Sequence, residues 1–187
     1  MADLYKSKYL QNDAELNAFI ALLKRENVTS YLEIGSKFGG TLWRIANSLP
    51  KGSRILSVDL PWGDRATEPH LLACVAELNK LGYRAHVTTD DSTNPEVVAA
   101  VSKHAPFDAI FIDANHTEPY VREDFKNYGQ MGRIIAFHDI AWNHPTKPGR
   151  LPIDVPRVWD DIKRLYRHEE IRLDPGGRDN GIGVLFR

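Results

Sequence analysis

Cysteine is nearly absent: Cys74 is the only one in 187 residues, which excludes an internal disulfide framework and any zinc site built from several thiolates. It lies in the apolar stretch LLACVAEL, where nothing nearby would lower its pKa, and reads as a buried structural thiol. Long apolar runs are lacking too. None approaches the roughly 20 residues of a membrane span, and the opening MADLYKSKYLQNDAEL has no signal-peptide core, so a cytoplasmic protein with no membrane partner is expected. Nor does charge of one sign dominate, since 24 Lys and Arg face 25 Asp and Glu. Binding along a phosphate backbone needs a basic surplus, so the expected partners are small molecules and not nucleic acid.

What is present is an ordinary globular composition, 42% hydrophobic and 26% charged, expected to form one domain over residues 1–187 with residues 1–28 as an N-terminal helical extension. Strand-like and helix-like segments alternate along nearly the whole chain, the pattern of a parallel sheet with helices on both faces. Asn12, with Glu15 three residues on, marks the start of a helix. SYLEIG, RILSVDL, YRAHVTTD, FDAIFIDA and RIIAFHDI read as five strands separated by helices. After a helix in IDVPRVWDDIKRLYR come EEIRLD and GIGVLFR, joined by the short turn PGGRDN. So short a connection requires antiparallel neighbours. The expected fold is therefore α/β, a mainly parallel seven-stranded sheet ending in an antiparallel C-terminal hairpin strand. One irregular stretch, residues 141–154, holds three prolines and follows the fifth strand, where ligands of open α/β sheets bind.

The segment YLEIGSKFGG runs from a strand through a glycine turn into a helix, and so presents free backbone N–H groups and a positive helix end to an anionic or polar ligand. A dinucleotide loop would read G-x-G-x-x-G. Here Lys37 stands where the second glycine would be, and the pattern is E-x-G-x-x-x-G from Glu33, Gly35 and Gly39, with Ser36 between them. Asp59 ends the second strand, where a carboxylate can accept hydrogen bonds from both ribose hydroxyls of a nucleoside. Asp91 and Ser92 follow the third strand at the same sheet edge. Each has a plainer reading: Asp59 as a strand-end cap, Gly39 and Gly40 as close-packing positions.

From about residue 29 to 187 the chain resembles the class I S-adenosylmethionine-dependent methyltransferases, which are doubly wound and Rossmann-like. The resemblance implies that Glu33, Gly35, Ser36 and Gly39 cradle the methionine part of the cofactor, that Asp59 holds the ribose, and that Asp91 and Ser92 lie by the adenine, with Asp113 at the edge of the same site. The motifs F-I-D-x-x-H and F-H-D-I also resemble those of small metal-dependent O-methyltransferases and cephalosporin-hydroxylase-like proteins. That likeness implies a divalent ion, magnesium, manganese or similar, on Asp113 and Asp139 with His138 as a third ligand. A hydroxyl nucleophile needs its pKa lowered, which such an ion does. Histidine at 138 replaces an acid common there and suits manganese, iron or zinc better than magnesium. Asn115 stands where relatives carry an aspartate and cannot take a proton, which leaves His116 as the candidate base. His116 as a helix cap and His138 as a support for Asp139 are the structural alternatives.

The function expected is S-adenosylmethionine-dependent O-methylation of a small-molecule hydroxyl, with catalytic Asp113, His116 and Asp139. A nicotinamide-linked oxidoreductase and a non-catalytic cofactor-binding module are the alternatives. Trp142, His144 and Lys147 on the proline-rich loop are candidates to cover substrate. Tyr5, Tyr9 and Trp62, expected to be exposed, are candidates for interface, lid or satellite core, with a homodimer as the expected assembly.

Overall fold

The computed structural model describes residues 4–7, 11–61, 65–145, 148–149, 151–173 and 180–187. Seven strands form one sheet: β1 (Ser30–Ile34), β2 (Arg54–Val58), β3 (Arg84–Thr88), β4 (Phe107–Ile112), β5 (Gly132–His138), β6 (Arg167–Ile171) and β7 (Ile182–Phe186). Their order is β3-β2-β1-β4-β5-β7-β6. β1 to β5 are mutually parallel, and β7 lies antiparallel between β5 and β6, as the short C-terminal turn requires. Residues 174–179, which include all of that turn except Asn180, lie outside the described residues. Because the chain moves outward from β1 to β3 and then returns to β4, the strand order reverses between β1 and β4, and in open α/β sheets the C-terminal side of such a switch point is where ligands bind.

The central strands are apolar on both sides, as strands covered by helices on both faces must be. Tyr31, Ala109, Phe111, Ile134 and Ala136 face one layer with Leu16, Phe19, Leu42, Ile45 and Leu71. These helical residues come from α2 (Asp13–Arg25), α3 (Gly40–Ser48) and α4 (Glu68–Lys80). Leu32, Ile34, Ile110, Ile112, Ile135 and Phe137 face the other layer with Val97, Val121 and Trp159, from α5 (Pro95–Ser102), α6 (Glu118–Tyr128) and α7 (Val155–Ile162). Side chains alternate along a strand. Asp113 therefore continues the Ala109–Phe111 face and His138 the Ile134–Ala136 face, and both point toward α2.

Asn12 caps α2, its Oδ1 accepting from the N–H groups of Ala14 and Glu15 at 2.9 and 3.4 Å. Glu15 does not reciprocate in a capping box. Its buried Oε1 accepts from Gly181 N at 3.0 Å, tying α2 to the residue before β7. A further short helix, α1 (Leu4–Ser7), precedes α2. Tyr5 in it is buried and meets Trp43 edge-on with ring centroids 5.0 Å apart, so it belongs to the core layer formed with α2, α3 and α4 and is not an exposed aromatic. Tyr9, Trp62 and Lys147 lie outside the described residues. Cys74 is fully buried against Gly39, and burial pushes its thiol far above the ordinary range, as a structural cysteine requires. Among the described residues no helix is long and apolar enough to cross a membrane.

Candidate functional site

The loop after β1 is shaped by contact with β4. Gly35 adopts φ +91°, and a Cβ there would sit 2.2 Å from the carbonyl oxygen of Asp113. Glycine is required because the two strand ends touch. Gly39 opens α3 at φ +82°, where a Cβ would press on Cys74 at 3.0 Å. Both glycines thus have a structural reason beside any ligand role. Glu33 is fully buried, and its Oε2 accepts from Tyr31 Oη at 2.7 Å. Burial, opposed by the hydrogen bonds from Tyr31 and Ser36, raises its carboxyl from 4.5 to about 8. Its Oε1 has no hydrogen-bond partner among the described residues.

Asp59 turns back over the same loop. Its Oδ1 accepts from Lys37 N at 2.7 Å, while its buried Oδ2 has no partner among the described residues. It is therefore a loop anchor with one oxygen to spare. Asp91 accepts at Oδ1 from Thr93 N and Oγ1, both at 2.8 Å, and the Ser92 hydroxyl donates to Asp124 at 2.7 Å.

A second cluster gathers at the ends of β4 and β5. Ile112 pairs with Phe137, which brings the next residues, Asp113 and His138, side by side. His138 Nδ1 lies 3.4 Å from Asp113 Oδ1 and 3.1 Å from Asp139 Oδ1. His116 Nε2 lies 3.1 Å from Asp113 Oδ1 and 3.2 Å from Asp139 Oδ2. One ligand atom each from Asp113, His116 and Asp139 falls within 4.8 Å of the others. Burial opposes charge on both rings, but the two carboxylates outweigh it, so both histidines sit above their ordinary values and Asp113 sits below its own. Asp139 adopts φ 62°, unusual for a residue with a side chain and suited to a sharp turn out of β5.

His116 does not cap α6. Asp154 does that work: its Oδ2 accepts from Glu118 N at 3.0 Å, and its own N–H donates to the His116 carbonyl at 2.8 Å. Asn115 forms a local turn, accepting at Oδ1 from Thr117 N and Oγ1 at 3.0 and 2.9 Å. On the proline-rich loop, Trp142 Nε1 donates to the His144 carbonyl at 3.1 Å. Gln11 was not legible as a site residue, yet its Nε2 donates to Asp113 Oδ2 at 2.6 Å. Asp124 did leave a trace in the sequence, an acid spaced with Val121 and Tyr128 on the buried face of α6.

Residues 32–140, which hold both clusters, match the methyltransferase domain family. The chain belongs to that family. As a methyltransferase it shares its fold with the O-methyltransferase from Bacillus cereus in complex with SAH, at 16% identity and TM-score 0.72, over 100% of this chain and 86% of that one. It is also similar in fold to the O-methyltransferase TomG from Streptomyces achromogenes, involved in tomaymycin synthesis and solved in complex with SAM. That likeness has 17% identity and TM-score 0.71 over 95% of this chain and 81% of that one. No curated protein sequence matches the methyltransferase significantly.

Proposed function

We propose that this methyltransferase moves a methyl group from S-adenosylmethionine to the hydroxyl of a small acceptor. The observation that carries the reading is the meeting of Asp113, His116 and Asp139 at the ends of β4 and β5, beside the glycine loop of β1. S-adenosylmethionine supplies an electrophilic methyl group on a sulfonium. Glu33 and Asp59 each offer a buried carboxylate oxygen without a partner among the described residues. These fit the cofactor's ammonium and ribose hydroxyls. Ser36, Gly35 and Gly39 shape the loop around them, and Asp91 with Ser92 receives the adenine.

A hydroxyl oxygen attacks a methyl group well only as its proton leaves. Asp113 and Asp139 supply the oxygen donors of a set that would fit a divalent ion of the manganese, iron or zinc kind, whose charge would lower the acceptor's pKa. The nitrogen donor is either His116, whose ligand atom lies within 4.8 Å of theirs, or His138, whose Nδ1 lies 3.4 and 3.1 Å from them. His116, a third exposed at its side chain, is the candidate to take the proton, and it does so only in its neutral form, above the raised pKa that Asp113 and Asp139 give it. If His116 is itself the third ligand, it cannot also be the base. The turn made by Asn115 explains that residue without loss of activity. Lys37, in a left-handed conformation at φ 51°, disfavours the close approach of a pyrophosphate and with it the nicotinamide reading.

The test is transfer of a labelled methyl group from S-adenosylmethionine to a panel of catechols and sugars, with magnesium or manganese and with chelator. Label recovered as a methyl ether supports the proposal. No label on any hydroxyl acceptor, together with label on nitrogen or carbon acceptors, would refute it.

A further inference from the structure

Helix α6 buries an acid where an apolar residue would pack better. Asp124 is 1% exposed, its Oδ2 has no hydrogen-bond partner among the described residues, and burial, reinforced by Asp91 and Glu123, lifts it to about 7 against the hydrogen bond from Ser92. So costly a placement calls for a function. Its Oδ1 accepts from the Ser92 hydroxyl at 2.7 Å. One turn further along α6, the Tyr128 hydroxyl donates to the main-chain carbonyl of Ser92 at 2.6 Å. The helix therefore grips Ser92 by side chain and backbone together, while Asp91 beside it is held by its own turn onto Thr93.

We propose that Asp124 and Tyr128 are positioning residues for the cofactor, holding the Asp91–Ser92 segment in the shape that receives the adenine ring. The proposal rests on the reading that places adenine beside those two residues. On this proposal neither Asp124 nor Tyr128 need touch the cofactor, since each bonds to Ser92. They act through Ser92.

The experiment is calorimetric titration of S-adenosylhomocysteine into Asp124→Ala, Asp124→Asn, Tyr128→Phe and Asp91→Ala, with steady-state kinetics and melting temperatures on each. Asp124→Ala and Tyr128→Phe should each weaken binding about fivefold to tenfold and raise the KM for S-adenosylmethionine to match, with kcat at saturating donor within about twofold. Asp124→Asn keeps an acceptor for Ser92 and should bind within about threefold of the natural protein. Should Asp124→Ala fail to fold, Ser92→Ala breaks the same hydrogen bond from the other side and should show the same loss. Lowered melting temperatures with unchanged affinity in Tyr128→Phe and in the Asp124 or Ser92 variant would overturn the positioning role, provided Asp91→Ala does weaken binding. Unchanged affinity in Asp91→Ala would overturn the adenine placement itself, and the proposal with it.

Discussion

Gln11 donates from Nε2 to Oδ2 of Asp113 at 2.6 Å, across 102 positions of sequence. Gln11, which precedes the Asn12 cap of α2, thus lies against the carboxylate at the end of β4, and the two histidines take the other oxygen. A cation that used Asp113 Oδ2 would have to turn or displace the Gln11 carboxamide. Gln11→Ala is therefore expected to tighten manganese binding about tenfold or more, the equivalent of one hydrogen bond to a charged acceptor. Paramagnetic resonance of free manganese measures this. Weaker binding in the variant would make Gln11 a ligand instead.

The buried acid at the end of β1 predicts a proton release. With Glu33 at about 8, most of the free protein carries a proton there at pH 7, and an ammonium group brought against it would expel that proton. Cofactor affinity should therefore rise with pH up to about 8. The apparent binding enthalpy should differ between phosphate and Tris buffers by close to the difference in their ionisation heats. The same shift acts on folding with the opposite sense. The unfolded carboxyl ionises near 4.5 and the folded one near 8, so folded stability falls as pH climbs between these values and is level above. Glu33→Gln should consequently melt higher than the natural protein at pH 8 while binding cofactor less well. Buffer-independent enthalpy would contradict the assignment.

His116→Ala separates base from bystander. If the imidazole takes the acceptor's proton, turnover should fall about a hundredfold or more while cofactor affinity stays within a few fold. Because Asp154 and not His116 caps α6, any fall in melting temperature reports the lost ion pairs to Asp113 and Asp139 and not a lost helix cap. Near-normal turnover would remove His116 from the chemistry.

Gly35→Ala tests the junction of β1 and β4. Its φ of +91° and the 2.2 Å approach to the Asp113 carbonyl leave no room for a methyl group, so the cost should exceed about 2 kcal/mol, or roughly 5 °C in melting temperature. Scanning fluorimetry reads it directly. A neutral variant would mean the strand ends are not in contact.

The fold was legible because its signals are local: apolar runs, glycine turns, and a C-terminal turn too short for a parallel crossover. The convergence of Asp113, His116, His138 and Asp139 was legible for a related reason, since consecutive parallel strands place their ends at one edge. Contacts that depend on a distant element were not. Gln11 on Asp113, Glu15 on Gly181 and Asp154 on the His116 segment each join residues with no periodicity in common. The reading of Tyr5 as exposed failed because a short helix carries it onto Trp43, a packing decision that no nearby residue announces. Gly35 and Gly39 stood out as positions of the loop pattern, but the proximity of Asp113 and Cys74 that makes glycine necessary there is tertiary.

The central claim is that S-adenosylmethionine sits above the ends of β1 to β3 and is held there by Asp59. Titration of S-adenosylhomocysteine into the natural protein and into Asp59→Asn by calorimetry tests it most directly. Asparagine can still accept from Lys37 N, so the loop and the melting temperature should be preserved, while loss of the charged acceptor should weaken binding about tenfold. Equal affinity in the two proteins, or no binding by the natural protein at millimolar ligand, would contradict the account.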